Sequence, residues 1–166
     1  MPILDSNTFE FISRSPDQTR RIGIRLGAFL QPQDIICLSG ELGAGKTTLV
    51  QGIAKGWGSM DAVTSPTFVL VNNYRRADMS ELNHLDAYRL SGAAEAEDLD
   101  LQMLIEDAPL LIEWPERILE ALPNENLWVQ MTWLADEQRG MVFRSNGKRY
   151  ELMLEQIKEN MVKSLV

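Results

Sequence analysis

Apolar residues recur along this chain in two rhythms, one spaced by three to four residues and one of short unbroken runs. Ile22, Leu26 and Phe29 keep helical spacing behind Ser15-Pro16-Asp17-Gln18, whose hydroxyl, early proline and following glutamine mark a capped helix start. Gln31-Pro32 closes that run. Residues 34–38, DIICL, follow as a short β-branched segment suited to a strand buried on both faces. Beyond a glycine-rich loop, Leu49, Val50, Ile53 and Trp57 carry a second helix, with Gly56 and Gly58 as its stop. Residues 68–74, FVLVNNY, and 81–86, ELNHLD, flank the polar turn ADMS and predict a hairpin. The alanine- and glutamate-rich stretch 93–106 reads as helix, 109–113, PLLIE, as another buried strand, and Pro115 as the opening of a short helix. Residues 127–134 and 141–152, with Asn146-Gly147 as a turn, predict a C-terminal meander. Leu154, Ile157, Met161 and Leu165 then predict a last amphipathic helix. No repeat or low-complexity linker interrupts the pattern. It predicts a single α/β domain over residues 1–166, with a parallel central sheet flanked by antiparallel strands and helices.

Composition narrows the class. Hydrophobic residues make up 45% and charged residues 24% of the 166, the balance of a globular chain with a sizeable core. No apolar run approaches the roughly 20 residues of a membrane span, and MPILDSNTFEF lacks the basic and apolar regions of a secretory signal. Cys37, the single cysteine, can form no disulfide within the chain. These features predict a cytoplasmic protein with no membrane partner. The net charge of −8 and the pI near 4.7 disfavour direct binding of free RNA or DNA, which calls for clustered Lys and Arg. Arg20-Arg21 and Arg75-Arg76 are only pairs. A phosphate held here is held by local geometry, against the global field.

Such geometry is written at residues 40–47. GELGAGKT satisfies G-x-x-x-x-G-K-[ST] and stands between an apolar strand and a helix. Gly43 and Gly45 permit backbone angles and close approach that a Cβ forbids. Successive N–H groups from Leu42 through Ala44 to Thr48 then form an anion nest at the helix N-terminus. Lys46 supplies a mobile charge for the β- and γ-phosphates, Thr47 a hydroxyl for Mg²⁺, and Thr48 a contact to the α-phosphate. A P-loop also needs an acid at the end of a neighbouring strand. Glu113 ends LLIE in that way, although aspartate is commoner; alternatively it caps the helix at Pro115. Trp114-Pro115 follows directly, so the water-orienting residue must come from elsewhere. Asp86, at the end of a strand able to converge on the same edge, is the candidate, with a plain turn residue pairing with Arg89 as the alternative. His84, the only histidine, excludes a multi-histidine metal site and reads as structural. Trp57 reads as core, and Trp114 either lines the nucleotide site or packs. No G-x-S-x-G nucleophile motif occurs. The lack of N-K-x-D favours ATP over a guanine nucleotide. The residues alone describe a binder, and hydrolase, of a magnesium nucleoside triphosphate.

The order of motifs adds to this. SGELGAGKTT, TSPTF at 64–68, HLDAYRL at 84–90 and LIEWPER at 111–117 resemble the bacterial ATPases of tRNA threonylcarbamoyladenosine biosynthesis, the TsaE family, from about residue 15 to 117. The resemblance implies a small P-loop NTPase domain with ATP and Mg²⁺ as cofactors. It puts Thr47 and Glu113 on the metal positions, Asp86 and Trp114 on residues important for activity, and Ser65 and Thr67 in a nucleotide-sensing loop. Lys46, Asp86 and Glu113 are thus the catalytic candidates. Arg139 falls where the C-terminal meander approaches the nucleotide. The resemblance further implies action with a threonylcarbamoyl transferase (TsaD) and its non-catalytic paralogue (TsaB). Their target is the adenosine beside the anticodon of tRNAs reading codons that begin with A. The tRNA is reached only through that complex, and hydrolysis lets the complex turn over. Asp100 stands where the family often has glycine, and the C-terminal part carries little likeness. Two rival readings are a small-molecule P-loop kinase, for whose lid residues 75–90 are too short, and a nucleotide-gated interaction module, against which Lys46, Thr47 and Glu113 argue.

Overall fold

Ser15 opens the first helix as its sequence predicts. Its Oγ accepts the Gln18 N–H at 3.1 Å, while the N–H of Arg14, one residue ahead of the cap, donates to the Gln18 side-chain oxygen at 2.6 Å, a shifted form of the capping box. The computed structural model, which describes residues 7–63, 71–90 and 92–163, continues this helix as α1 (Pro16–Gly27). Ahead of it lies β1 (Thr8–Ser13), a strand the sequence reading did not include. β2 (Ile35–Ser39) is buried along its length, and α2 (Lys46–Trp57) leaves the glycine loop. The expected hairpin is β3 (Val71–Arg75) and β4 (Glu81–Asp86); residues 68–70 of its first strand lie outside the described residues.

Two predicted elements are corrected. The helix over 93–106 is split into α3 (Ala93–Asp98) and α4 (Leu101–Glu106). At the break Asp100 takes a left-handed φ of 52°, and its side chain accepts the Met103 N–H. A short polar residue tolerates this conformation through such a local bond. After β5 (Leu110–Glu113) and a 3₁₀ segment (Pro115–Ala121), β6 (Asn126–Trp133) and β7 (Arg139–Asn146) form a single hairpin. The expected meander over 141–152 does turn at Asn146-Gly147, but no strand follows the turn among the described residues. Gly147, at φ 113°, turns the chain into α5 (Lys148–Lys163), whose Tyr150, Met153, Leu154, Ile157 and Met161 share one buried face. Leu165 lies outside the described residues.

The strands make one seven-stranded sheet in the order β1-β7-β6-β2-β5-β4-β3. β4, β5, β2 and β6 are parallel neighbours, and β3, β7 and β1 pair antiparallel at the flanks, as expected. On one face Ile36, Leu38, Leu111, Val129 and Phe143 meet Leu26, Ile53 and Ile157 of the long helices. On the other, Ile35, Cys37, Leu85 and Ile112 meet Ile105 and Ile118. Burial, with a smaller push from Glu116, raises the Cys37 thiol to about 12, so it stays inert. Arg149 grips Asp34 through both carboxylate oxygens, at 3.1 and 2.9 Å, and the Tyr150 hydroxyl accepts the Ile35 N–H at 2.9 Å. These bonds tie α5 to the start of β2. No helix among the described residues is long and apolar enough to cross a membrane.

Glycines set how closely α1 and α2 cross. A Cβ on Gly27 would lie 2.0 Å from the Ile53 carbonyl oxygen, and one on Gly56 1.9 Å from that of Ile24. Gly56 is therefore a contact inside α2; the stop is Gly58 alone, at φ 104°. Gly56→Ala is expected to push the helices apart and cost about 1–3 kcal/mol, as overpacking does. Urea denaturation checks it, with Gly92→Ala, where no atom lies within 4 Å, little changed.

Candidate active site

Strand register brings the candidate residues to one edge. Leu38, two residues before the glycine loop, is level with Glu113, and Glu113 is level with Asp86. Leu82 and Leu111 pack in the cluster that includes α2 residues, so strand alternation turns His84, Asp86 and Glu113 to that same face. Gly43 and Gly45 take φ of 83° and 101°, and among the described residues a Cβ on Gly43 would meet nothing within 4 Å beyond its chain neighbours. Leu42, Gly43, Gly45, Lys46, Thr47, Thr48, Asp86, Glu113, Trp114 and Arg139 line one cavity of about 290 Å³ there. Of the predicted site residues that the structure describes, only Ala44 does not. Its methyl is in the core, and its N–H donates to the Glu41 carbonyl at 3.0 Å.

Lys46 is buried at 6% exposure. Its Nζ donates to the Gly40 carbonyl and stands 3.9 Å over the Trp114 ring. Burial lowers its pKa, and Glu113, Glu116, Asp86 and Glu41 pull the other way. Trp114 holds a left-handed φ of 57°, and its ring packs on Tyr88 at 5.0 Å. It thus both packs and lines the cavity. The 3₁₀ segment has Trp114 at its N-cap and no side-chain cap bond, so Glu113 is not its cap. Instead Glu113 Oε2 accepts from His84 Nε2 at 2.7 Å, and His84 Nδ1 lies 3.0 Å from the Tyr74 hydroxyl.

Asp86 does accept a turn bond, from the Tyr88 N–H at 3.0 Å, and still borders the cavity. Burial raises its carboxyl pKa. The Tyr88 N–H opposes that shift, and the charge of Glu113 adds to it. Arg139 donates from Nε to the Gly43 carbonyl at 3.2 Å and from Nη1 to the Ala135 and Gln138 carbonyls at 2.8 and 3.0 Å. It straps the glycine loop to the β6–β7 turn. Ser65 and Thr67 lie outside the described residues.

Sequence reasoning passed over Tyr74 and Glu116. Glu116 accepts the Ser39 hydroxyl, which puts another carboxylate near Lys46. The signal for Tyr74 was available: a hairpin turning at ADMS sets Asn72 opposite His84, which makes Tyr74 the diagonal same-face neighbour of the histidine.

Thr47, Glu113 and Asp86 offer only oxygen donors, the kind Mg²⁺ takes, and the cavity leaves room for phosphates to supply the rest. Among the described residues no group of three or more His, Cys, Asp and Glu is arranged to hold a metal by itself. A cation held here would need a nucleotide to complete its ligands. The residues fit a magnesium nucleotide on both counts.

The profile of the family described as "Threonylcarbamoyl adenosine biosynthesis protein TsaE" matches residues 13–141. The chain belongs to the TsaE family. That span of the TsaE match runs from the end of β1 to the start of β7 and holds every candidate site residue. The tRNA threonylcarbamoyladenosine biosynthesis protein TsaE of Bacillus subtilis (strain 168) is 37% identical over 144 residues, 86% of this chain and 89% of its own length. The TsaE of Streptomyces coelicolor is 42% identical over 137 residues, 79% of this chain and 93% of its own. Among solved structures, "Crystal structure of Bacillus subtilus YdiB" superposes with a TM-score of 0.76 at 30% identity, over 92% of this chain and 95% of that one.

Proposed function

We propose that this TsaE-family chain is a magnesium-dependent P-loop ATPase serving threonylcarbamoyladenosine modification of tRNAs that read codons beginning with A. In this reading residues 1–166 are one P-loop domain, working in the cytoplasm with TsaD and TsaB. The observation that carries the reading is the convergence of Lys46, Thr47, Asp86 and Glu113 on one cavity at the glycine loop. Loop N–H groups and Lys46 grip the phosphates, Lys46 exchanging the Gly40 carbonyl for phosphate oxygens. Thr47 and Glu113 hold the metal, which when bound neutralises charge on the β- and γ-phosphates. Asp86, with its raised proton affinity, orients the attacking water.

Arg139, which lines the cavity, commits Nε and Nη1 to main-chain carbonyls. An arginine tied to the loop in this way is not poised as an arginine finger, so slow turnover by the isolated protein is expected. A net charge of −8 suits a protein that docks on a transferase complex and reaches tRNA through it. Phosphate release measured with and without TsaD and TsaB tests this. Stimulation of about tenfold or more is expected, well within what a group supplied in trans gives. Phosphate transfer to an added small acceptor without release to water would instead identify a kinase. Tight Mg-ATP binding with no turnover in either condition would identify a nucleotide-gated module.

A further inference from the structure

Glu113 is held by a buried chain of hydrogen bonds that crosses three strands. Its Oε2 lies 2.7 Å from His84 Nε2, and His84 Nδ1 lies 3.0 Å from the Tyr74 hydroxyl. Glu113, His84 and Tyr74 are 6%, 1% and 3% exposed, so water does not compete for these bonds. A carboxylate only accepts. Nε2 therefore carries a hydrogen toward Glu113, and in the neutral imidazole Nδ1 is the acceptor for the Tyr74 O–H. In that tautomer every bond points the same way, from β3 through β4 to the carboxylate on β5. With Oε2 engaged, Oε1 is the oxygen left to Glu113 for the cavity it lines.

We propose that His84, backed by Tyr74, is a positioning residue that orients the Glu113 carboxylate for the divalent cation. This inference rests on reading the cavity as a Mg-ATP site. It gives the hairpin β3–β4, which itself supplies no loop amide, a share in metal binding. Partners of this kind, hydrogen-bonded to a metal's ligands, typically change metal affinity by about 10–100-fold when removed. A pair that merely stitched the hairpin to the sheet would change the melting temperature and leave the magnesium dependence alone.

The test uses the full chain and calorimetric ATP titrations at graded Mg²⁺, repeated in excess EDTA. His84→Leu is expected to raise the Mg²⁺ concentration for half-maximal ATP binding by about tenfold or more, with metal-free ATP affinity unchanged within about twofold. His84→Gln, whose amide N–H replaces the Nε2 donor, is expected to recover most of that loss. Tyr74→Phe removes one hydroxyl and is expected to give a smaller rise of about threefold. Wild-type magnesium dependence in His84→Leu overturns the proposal, as does the same result in Tyr74→Phe should the leucine variant fail to fold. Equal losses in the Leu and Gln variants, tracking a common drop in melting temperature, assign His84 to the scaffold and also overturn it. Should the wild-type protein itself bind ATP without regard to Mg²⁺, the Mg-ATP reading falls and takes this one with it.

Discussion

Lys46→Ala is expected to lose about 100-fold or more in affinity for Mg-ATP. The lysine is buried, and burial lowers its pKa against the pull of Glu113, Glu116, Asp86 and Glu41. Its ammonium is thus a desolvated charge that, among the described residues, has one main-chain acceptor and an aromatic face to satisfy it. Arriving phosphates offer a far better partner, and the ammonium has already shed its own water before it meets them. Removing one side of a desolvated charge pair costs about 2–5 kcal/mol, and 100-fold is about 2.8 kcal/mol at 1.4 per decade. Leu42→Ala is the natural control. That side chain is 92% exposed, so the position contributes only its backbone and binding is expected to hold. Calorimetry on folded Lys46→Ala decides the matter. Affinity within threefold of wild type would mean that the loop amides alone do the gripping.

Asp86→Asn is expected to separate binding from turnover. Asparagine still accepts the Tyr88 N–H that Asp86 receives at 3.0 Å, so the turn after β4 survives. It cannot take a proton from water. Phosphate release in the TsaD–TsaB complex is expected to fall by about 100-fold or more, the usual scale for a lost general base, while Mg-ATP affinity stays within about threefold. Normal hydrolysis by the Asn variant in the complex would remove Asp86 from the mechanism.

How much of this was readable beforehand depended on how far apart the deciding residues lie. The capping box at Ser15, the glycine loop and the acid ending LLIE are decided by neighbours in sequence, and each was legible. Asp86 and Glu113 stand level only because β4 and β5 are parallel neighbours, which a motif search cannot show. Gly56 looked like a stop because its other use, close approach to Ile24, involves a helix some thirty residues upstream. Phe9 and Phe11 alternate as a strand should, yet their partners in β7 lie at the far end of the chain. The turn at Asn146-Gly147 was found, but the sequel was misread, since Tyr150 to Ile157 keep helical spacing directly after a β-rich run. Asp100 is instructive in another way. The resemblance implies glycine at this position, and Asp100 takes a positive φ, a conformation glycine adopts freely. His84 was set down as structural because a lone strand histidine is commonly that; its tyrosine and its carboxylate come from two other strands.

The strand order also governs how this protein can be made. β2, which leads into the glycine loop, has both of its parallel neighbours once synthesis has passed Trp133. β1 pairs with β7, so the opening strand must wait for residues 139–144. A nascent polypeptide leaving the ribosome therefore keeps Phe9 and Phe11 without their strand partner until β7 has emerged. β1 is the strand whose docking waits on the most distant stretch of the sheet.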